Sequence, residues 1–320
     1  MDVSPSKKRG VKIQRRPVHG VLLLDKPLGM SSTQALQKAK WLLRAEKAGH
    51  TGTLDPLATG VLPLCFGAAT KFSQIHLDAD KSYEALLKLG VQTSTADAEG
   101  EVTQTLPVPP ITQADLNRAM TELSGPQEQV PPMYSALKKD GKALYEYARA
   151  GETIERQARH IVIHSLNITP TDQPDVLRLQ VDCSKGTYIR TLGESVAQVL
   201  GTVGHLVALR RVVTGPFTTS DCIALDEFEA LDEVTRMRRL KPVQTLLQGD
   251  DCVHLPADQA GRFLSGVRLT LTPQVASSER VQVWGKDPHA FLGTAHIQAS
   301  TLIPQRLLSP MEVGQILQTS

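Results

Sequence analysis

The segment Gly49–Gly60, with the sequence GHTGTLDPLATG, holds one histidine and one aspartate among glycines, a proline and hydroxyl residues. Asp55 precedes Pro56, whose ring fixes its own φ and restricts Asp55 to extended conformations, so the backbone aims the carboxylate. A carboxylate held in this way can act as a nucleophile or as a base. An Asp before Pro is also a common turn former, and the segment alone leaves both roles open.

Several other chemistries lack the residues that they need. A metal site on His50 and Asp55 has no third ligand at suitable spacing, and a glycosidase normally needs a second carboxylate. No Gly-x-Ser-x-Gly elbow, Gly-x-Gly-x-x-Gly or Walker motif is present. The cysteines are far apart, which predicts separate buried thiols and neither a zinc site nor a disulfide framework. They are Cys65, Cys183, Cys222 and Cys252.

The composition is typical of a folded protein, with 41% hydrophobic and 21% charged residues among 320. Apolar runs such as 20–24 are too short to span a bilayer, and no apolar signal region follows the basic start, so we expect a cytoplasmic protein. The net charge of +2 does not by itself indicate a nucleic-acid partner. Residues 1–16, however, hold six basic residues and one acidic residue, which is typical of a flexible arm that contacts phosphates or only aids solubility.

The pattern around the segment predicts the elements that position it. An apolar run over 18–24 is followed by a turn and by a helix with Ser31 or Ser32 as its cap. Residues 81–89 alternate with period two, which predicts a strand with Tyr83 on its apolar face. A second helix is capped by Thr112. The sequence KGTYIR then joins a strand to a helix start, a common place for site residues.

Strands separated by helices and hairpins predict an α+β domain with a mixed, largely antiparallel sheet. Residues 226–248 are expected to form a helical connector. From Asp250 onward, short alternating stretches interrupted by Gly and Pro predict a small β-barrel. We therefore expect a basic arm over 1–16, a main domain over 17–248 and a C-terminal domain over 249–320.

The sequence GHTGTLDPLATGVLPL strongly resembles the signature of the bacterial tRNA pseudouridine-55 synthases, the TruB family. The similarity extends in order through DKPLGMSS, KSYEA, VPPMYSALKKDGKALYEYARAG, SKGTYIRTL and LRRVVTGPF, and it covers roughly residues 20–217. The C-terminal part is similar, by pattern and position, to the PUA-type RNA-binding barrel that ends many family members. The resemblance implies a pseudouridine synthase fold, with an RNA-clasping insertion near 127–151.

The resemblance also implies roles for individual residues. Asp55 matches the catalytic aspartate, and Arg190 matches the arginine that pairs with it. Tyr83 matches the tyrosine that stacks on the flipped base, and His50 matches the histidine that enters the T-loop of the RNA. Further substrate-pocket positions are matched by Tyr188 and Leu209, whereas Lys26 and Pro27 match a motif whose role is mainly structural. Considered without the resemblance, Tyr83, Tyr188 and Leu209 would be ordinary core residues and Arg190 a surface ion-pair partner.

The implied activity is the isomerisation of uridine to pseudouridine at position 55 of tRNA, on a flipped base. It implies no metal, nucleotide or redox cofactor, and we expect a monomer that needs tRNA and no protein partner or membrane. The sequence leaves open whether Asp55 attacks C1′ of the ribose, attacks the uracil ring or removes a ribose proton. A guide-dependent relative, an RNA-binding or tRNA-folding helper and a carbohydrate-acting enzyme are the alternatives.

Overall fold

The structure is a computed structural model that describes residues 14–272 and 274–319. Its strands are β1 (Gly20–Lys26), β2 (Ala48–His50), β3 (Ala58–Phe66), β4 (Lys81–Leu89), β5 (Val91–Thr93), β6 (Val102–Thr105), β7 (Gly125–Gln129), β8 (Lys138–Lys139), β9 (Lys142–Ala143), β10 (Arg159–Pro170), β11 (Val176–Cys183), β12 (Gly204–Thr214), β13 (Phe217–Thr218), β14 (Ile223–Ala224), β15 (Asp251–Leu255), β16 (Leu269–Thr270), β17 (Ser278–Lys286), β18 (His289–Gln298) and β19 (Thr301–Leu307). Its helices are α1 (Ser32–Leu42), α2 (Ser73–Leu77), α3 (Gln113–Glu122), α4 (Leu144–Arg149), α5 (Ile189–Val199), α6 (Leu225–Ala230), α7 (Glu233–Arg238), α8 (Ala257–Leu264) and α9 (Pro310–Thr319), with 3₁₀ turns at Gly67–Lys71, Thr219–Asp221 and Val243–Leu247.

A large mixed sheet organises most of the chain. Within the described ranges it has the strand order β14-β1-β3-β12-β4-β11-β10-β7, with β13 beside β12 and β2 beside β3. The β1–β14 and β3–β12 pairs are parallel, and the remaining pairs are antiparallel. The predicted mixed, largely antiparallel sheet is confirmed.

The helix caps and strand faces follow the local sequence. Ser31 caps α1 in a capping box with Gln34, and Thr112 caps α3 in the same way with Asp115. These reciprocal hydrogen bonds satisfy backbone N–H groups that the first turn of a helix leaves free. Side chains of β4 alternate between buried and half-buried positions, and Tyr83 lies on the buried face. The predicted caps and the predicted face of β4 are confirmed.

Hydrophobic side chains cover the large sheet on both faces. Leu22 and Leu24 of β1 point into one cluster, which includes residues of α1 and α5. Val21 and Leu23 point into a second cluster, which also contains Phe291 of the C-terminal sheet. Full burial of such a side chain contributes about 1.5–3 kcal/mol, so both faces of β1 contribute to stability.

The C-terminal strands form a separate five-stranded sheet with the order β15-β17-β18-β19-β16 in the described part of the chain. Phe263 of α8 and Val283 of β17 are completely buried in its hydrophobic core. The predicted fold class, a mixed sheet followed by a small β domain, is therefore confirmed. Within residues 14–272 and 274–319, no helix combines the length and the hydrophobicity needed to cross a membrane.

Two sequence-based expectations concern the burial of the cysteines and the basic arm. The prediction that all four cysteines are buried is wrong for Cys252, which is exposed, and Cys222 is half-buried. Cys252 lies on β15, an edge strand with solvent-facing side chains, whereas Cys65 and Cys183 lie on inner strands. The basic arm predicted for 1–16 falls mostly outside the described residues, which begin at residue 14.

Candidate active site

The loop between β2 and β3 presents Asp55 and is fixed by contacts with neighbouring elements. The buried hydroxyl of Ser32, at the start of α1, accepts a hydrogen bond from the Leu54 amide at 2.7 Å and donates one to the Leu54 carbonyl at 3.1 Å. The Ala58 amide donates to the Asp55 carbonyl at 3.0 Å, and the Gly29 amide donates to that of Pro56 at 2.9 Å. These bonds hold the backbone on both sides of the Asp55 carboxylate.

Arg190 binds this carboxylate from the first turn of α5. Its Nε lies 2.9 Å from Oδ2 of Asp55 and 3.7 Å from Oδ2 of Asp97. The two terminal nitrogens donate to the backbone carbonyls of Thr95 and Tyr134, each at 2.7 Å. Because every arm of this buried guanidinium has a partner, Arg190 holds the Asp55 carboxylate in one orientation.

Two opposing effects act on the protonation of Asp55. Burial raises the pKa of Asp55 above its ordinary value, and the nearby Asp97 carboxylate adds to this rise. The positive charge and the hydrogen bond of Arg190 oppose the shift. The Asp55 side chain is 35% exposed, whereas that of Arg190 is only 4% exposed. The carboxylate therefore has an open side through which a reactant can approach.

That open side faces a cavity of about 480 Å³. Five of the residues that the sequence assigned to the site line it, namely Asp55, Tyr83, Tyr188, Arg190 and Leu209. These five residues supply two aromatic rings, an aliphatic side chain and one ion pair. Its size and its mixture of apolar walls with a few polar groups are typical of sites for small molecules or for a single flipped base.

His50 lies in β2, opposite Leu64 of β3, and is not among the described residues that line the cavity. Burial lowers its pKa, and the positive charge of Arg211 adds to this effect, so its imidazole favours the neutral form. Its Nδ1 atom is buried without a hydrogen-bond partner among the described residues. The structure thus separates His50 from the five predicted residues that meet in the cavity.

Three charged residues near the site were missed by the sequence analysis. Arg211 and Lys81 line the cavity, and Asp97 lies beside Arg190. A signal for Arg211 was present, because residues two apart in a strand share a face and Leu209 was already assigned to the site. Leu209 and Arg211 are indeed both buried in β12. No comparable local pattern identifies Asp97, which reaches Arg190 only through the tertiary fold.

Close backbone packing brings Arg211 to the cavity. A Cβ atom on Gly60 would lie 2.1 Å from the Arg211 carbonyl oxygen, so only glycine permits β3 and β12 to approach this closely.

Lys26, which was predicted to be structural, is completely buried nearby, and its ammonium donates to the carbonyls of Pro27 and Met30. Burial lowers the pKa of Lys26 to about 8, although Asp55 opposes this shift.

The segment predicted to clasp RNA, 127–151, also borders the cavity, which is lined by Ser135, Ala136 and Leu137. Beyond these residues the chain forms a hairpin of β8 and β9 and then α4. The Lys142 ammonium lies 4.2 Å from the centre of the Tyr147 ring, and the Arg149 guanidinium lies 5.3 Å from that of Tyr145. Basic groups stacked on aromatic rings are suited to contacts with RNA backbone and bases.

Comparison with known proteins supports the resemblance over nearly the whole chain. The family described as "TruB family pseudouridylate synthase (N terminal domain)" matches residues 40–189. The families "tRNA pseudouridylate synthase B C-terminal domain" and "Pseudouridine synthase II TruB, C-terminal" match 190–248 and 252–308. A tRNA pseudouridine synthase B from Verminephrobacter eiseniae is 55% identical over 312 residues, which cover 96% of this chain and 93% of the relative. The chain belongs to the TruB family.

Further members of the TruB family and solved structures agree with this result. A tRNA pseudouridine synthase B from Ralstonia nicotianae is 54% identical over 303 residues, covering 93% of this chain and 96% of the relative. A chain in the crystal structure of a Cbf5-Nop10-Gar1 complex superposes with a TM-score of 0.68 at 21% identity, covering 94% of this chain and 87% of that one. At this identity the structural similarity supports the fold of the TruB chain and nothing finer.

Proposed function

We propose that this chain converts uridine to pseudouridine at position 55 in the T-loop of tRNA, with Asp55 as its catalytic carboxylate. The tRNA position and the aspartate carry the same number, 55, by coincidence. The observation that carries the proposal is the Asp55–Arg190 pair, 2.9 Å long, whose carboxylate opens on a cavity lined by Tyr83, Tyr188 and Leu209. Membership of the TruB family supports the reaction class.

The reaction requires little beyond a positioned carboxylate. The bond between N1 of uracil and C1′ of ribose breaks, the ring turns, a bond forms between C5 and C1′, and the C5 proton leaves. One C–N bond is exchanged for one C–C bond within one molecule, and a proton moves from C5 to N1, so the reaction needs no redox partner. A carboxylate that is ionised and fixed by Arg190 can serve such chemistry as a nucleophile or as a base.

Three roles for Asp55 satisfy this scheme. The carboxylate can add to C1′ as uracil departs, add to the uracil ring, or remove a ribose proton so that a glycal forms. The first and third roles act on the ribose, and we favour them. In each role the walls formed by Tyr83 and Leu209 exclude water and retain the detached uracil until the new bond forms.

The residues around the cavity receive roles in binding. Tyr83 stacks on the flipped base, and Tyr188 and Leu209 complete the walls of its pocket. His50, which lies outside the lining of this pocket, enters the T-loop, where it replaces stacking that is lost on flipping. Extruding a base costs a few kcal/mol, and such contacts offset part of that cost.

The remaining assignments concern organisation. We propose a catalytic domain over 17–248, with the RNA-clasping insertion near 127–151, and a PUA-like RNA-binding domain over 249–320. The substrate is the T-stem and loop of tRNA, recognised by RNA shape and by the flipped base. We further propose that the enzyme acts as a monomer in the cytoplasm, without a cofactor or a protein partner.

Mapping of pseudouridine on unmodified tRNA transcripts tests the function. Purified protein without added cofactor is incubated with a transcript that carries uridine at position 55 and with a matched transcript that carries cytidine there. We expect a single pseudouridine at position 55 of the first transcript and none in the second. Modification of a different uridine would reject the proposed position, and tRNA binding without any modification would favour a binding protein.

A further inference from the structure

A second buried arginine lines the cavity beside the Asp55–Arg190 pair. Arg211 lies in β12, and the residue is only 1% exposed. Its Nε donates to the Val61 carbonyl at 2.8 Å, and Nη2 lies 3.4 Å from the carbonyl oxygen of Gly52. Arg211 and Tyr83 both line the cavity, and the charge of Arg211 opposes the rise that burial causes in the pKa of the Tyr83 phenol. Arg211 thus contacts β3 and the loop before Asp55.

Arg211 differs from Arg190 in having no acidic partner among the described residues. In the part of the chain that the structure describes, no carboxylate oxygen lies within 4.0 Å of Arg211, whereas Arg190 contacts Asp55 and Asp97. Lys81, which also lines the cavity, has carbonyl partners from Leu77 and Ala79 and likewise no carboxylate at this distance among described residues. The lining of the cavity and the adjacent Asp97 together hold three basic groups and two carboxylates, and both carboxylates are paired with Arg190, so positive charge is in excess.

Burying a positive charge without a counterion is unfavourable. The electrostatics of neighbouring groups reflect this excess, because burial and the charge of Arg211 lower the pKa of Lys81 to about 8. Preorganised positive groups in a cavity are typical of sites where negative charge develops during a reaction. The excess thus indicates that an anionic group enters or forms in this cavity.

The proposed reaction supplies such a group. When the N1–C1′ bond breaks, its electron pair remains with uracil, and the negative charge spreads over N1, O2 and O4. The charge disappears when C5 bonds to C1′, and the proton of C5 is then transferred to N1. We propose that Arg211, assisted by Lys81, contacts the detached uracil and stabilises this negative charge. The proposal rests on the function proposed above and adds a catalytic residue to it.

A comparison of two substrates separates this role from a structural one. The tRNA carries either uridine or 5-fluorouridine at position 55, and the disappearance of the parent nucleoside is followed under single-turnover conditions. Fluorine withdraws electrons and makes uracil a better leaving group, so the 5-fluoro substrate depends less on stabilisation by the protein. The variants are Arg211→Gln, which removes the charge, and Arg211→Lys, which retains it.

A matched control is available on the same strand. Arg210 neighbours Arg211 but is paired with Asp25 through both terminal nitrogens, at 3.0 and 2.6 Å, and is absent from the cavity lining. We expect Arg210→Gln to leave both nucleosides disappearing at nearly the wild-type rate. A large effect of this control on both substrates would mean that disruption of β12 accounts for the losses, and it would overturn the proposal.

We expect Arg211→Gln to slow the disappearance of uridine by about 100-fold or more, the range seen when one stabilising donor is removed. On the 5-fluorouridine substrate we expect the rate loss of Arg211→Gln to be at least about fivefold smaller than on uridine. On both substrates Arg211→Lys is expected to lose less rate than Arg211→Gln. An equal defect on both substrates, or a uridine rate within about threefold of wild type, would overturn the proposal. If the Gln variant does not fold, the same test applies to Arg211→Lys, with an equal defect again overturning it. A wild-type enzyme that leaves both nucleosides intact would instead reject the proposed function.

Discussion

The two buried arginines of the cavity, Arg190 and Arg211, have opposite surroundings. Arg190 lies in the first turn of α5, and its guanidinium contacts two carboxylates and two backbone carbonyls. Arg211 lies inside β12, where its hydrogen-bond partners among the described residues are backbone carbonyls. The first arginine therefore holds a protein anion in place. The second keeps its charge available for an anion that the protein does not supply.

This difference explains how one cavity can serve opposite electrostatic needs. An attacking or proton-removing carboxylate must remain ionised and oriented, and Arg190 provides both conditions for Asp55. A departing uracil needs positive charge without a competing carboxylate, which is the condition found around Arg211. If Arg211 were paired as Arg190 is, its charge would already be compensated before substrate entered.

The largest effect on stability and activity is expected from Arg190→Gln, which removes the arginine that is paired with carboxylates. The change leaves Asp55 and Asp97 without their shared cation, and breaking a buried pair in this way costs about 3–5 kcal/mol of stability. The pKa of Asp55 rises further, so activity is lost at a higher pH as the solution is acidified. Urea unfolding and a profile of kcat/KM against pH measure both effects. If the acidic limb of the kcat/KM profile does not change, Arg190 does not control the ionisation of Asp55.

The next effect concerns His76, near Lys81 and Arg211, and is expected in the free energy of unfolding. Burial, followed by the charges of Lys81 and Arg211, lowers the pKa of His76 from 6.5 to about 4. Between these values the unfolded chain binds more protons, so this contribution is full above pH 6.5 and is lost as the pH falls to about 4. The contribution amounts to roughly 3 kcal/mol at most.

Unfolding free energies of wild type and His76→Gln across this window check the prediction. The difference between the two proteins is expected to shrink as the pH falls, because only the wild type carries the proton-linked term. The His76 ring lies 5.0 Å from that of Phe217, and the loss of this packing affects all pH values alike. A difference independent of pH would contradict the depressed pKa.

A smaller effect, on kcat/KM, is expected from a change at Tyr83, which lines the same cavity. Tyr83→Leu retains an apolar side chain in the cavity but removes the ring on which we propose that the base stacks. The loss of one stacked base is worth about 1–3 kcal/mol, which corresponds to a decrease in kcat/KM of about fivefold to 150-fold. Steady-state kinetics on a tRNA transcript measure it. An unchanged kcat/KM would assign Tyr83 to the core alone.

The elements that carry the site were predictable because their signals are local. Capping at Ser31 depends on residues within one helical turn, and the face of Tyr83 follows from the period of a single strand. The meeting of Asp55 and Arg190 was implied only by the family resemblance, since 135 positions separate them and no local pattern connects them.

The environment of Arg211 was beyond a reading of the sequence. Its contact with Val61 joins residues that are 150 positions apart. That it has no acidic partner within the described ranges depends on the placement of every nearby carboxylate. Cys252 gives the same lesson, because residue type favours a buried thiol whereas its edge strand exposes it. Exposure and charge balance are tertiary properties, and they were the features that local patterns failed to predict.

The most direct test of the central claim is the rate of pseudouridine formation at position 55 of tRNA by wild type and by Asp55→Asn. Enzyme is in excess, and tRNA binding is measured in parallel. Asparagine keeps the size of the side chain but cannot act as a nucleophile or base. We predict that the variant binds tRNA and forms pseudouridine at least about 1,000-fold more slowly. A variant that binds tRNA and retains a rate within about tenfold of wild type would contradict the assignment of Asp55.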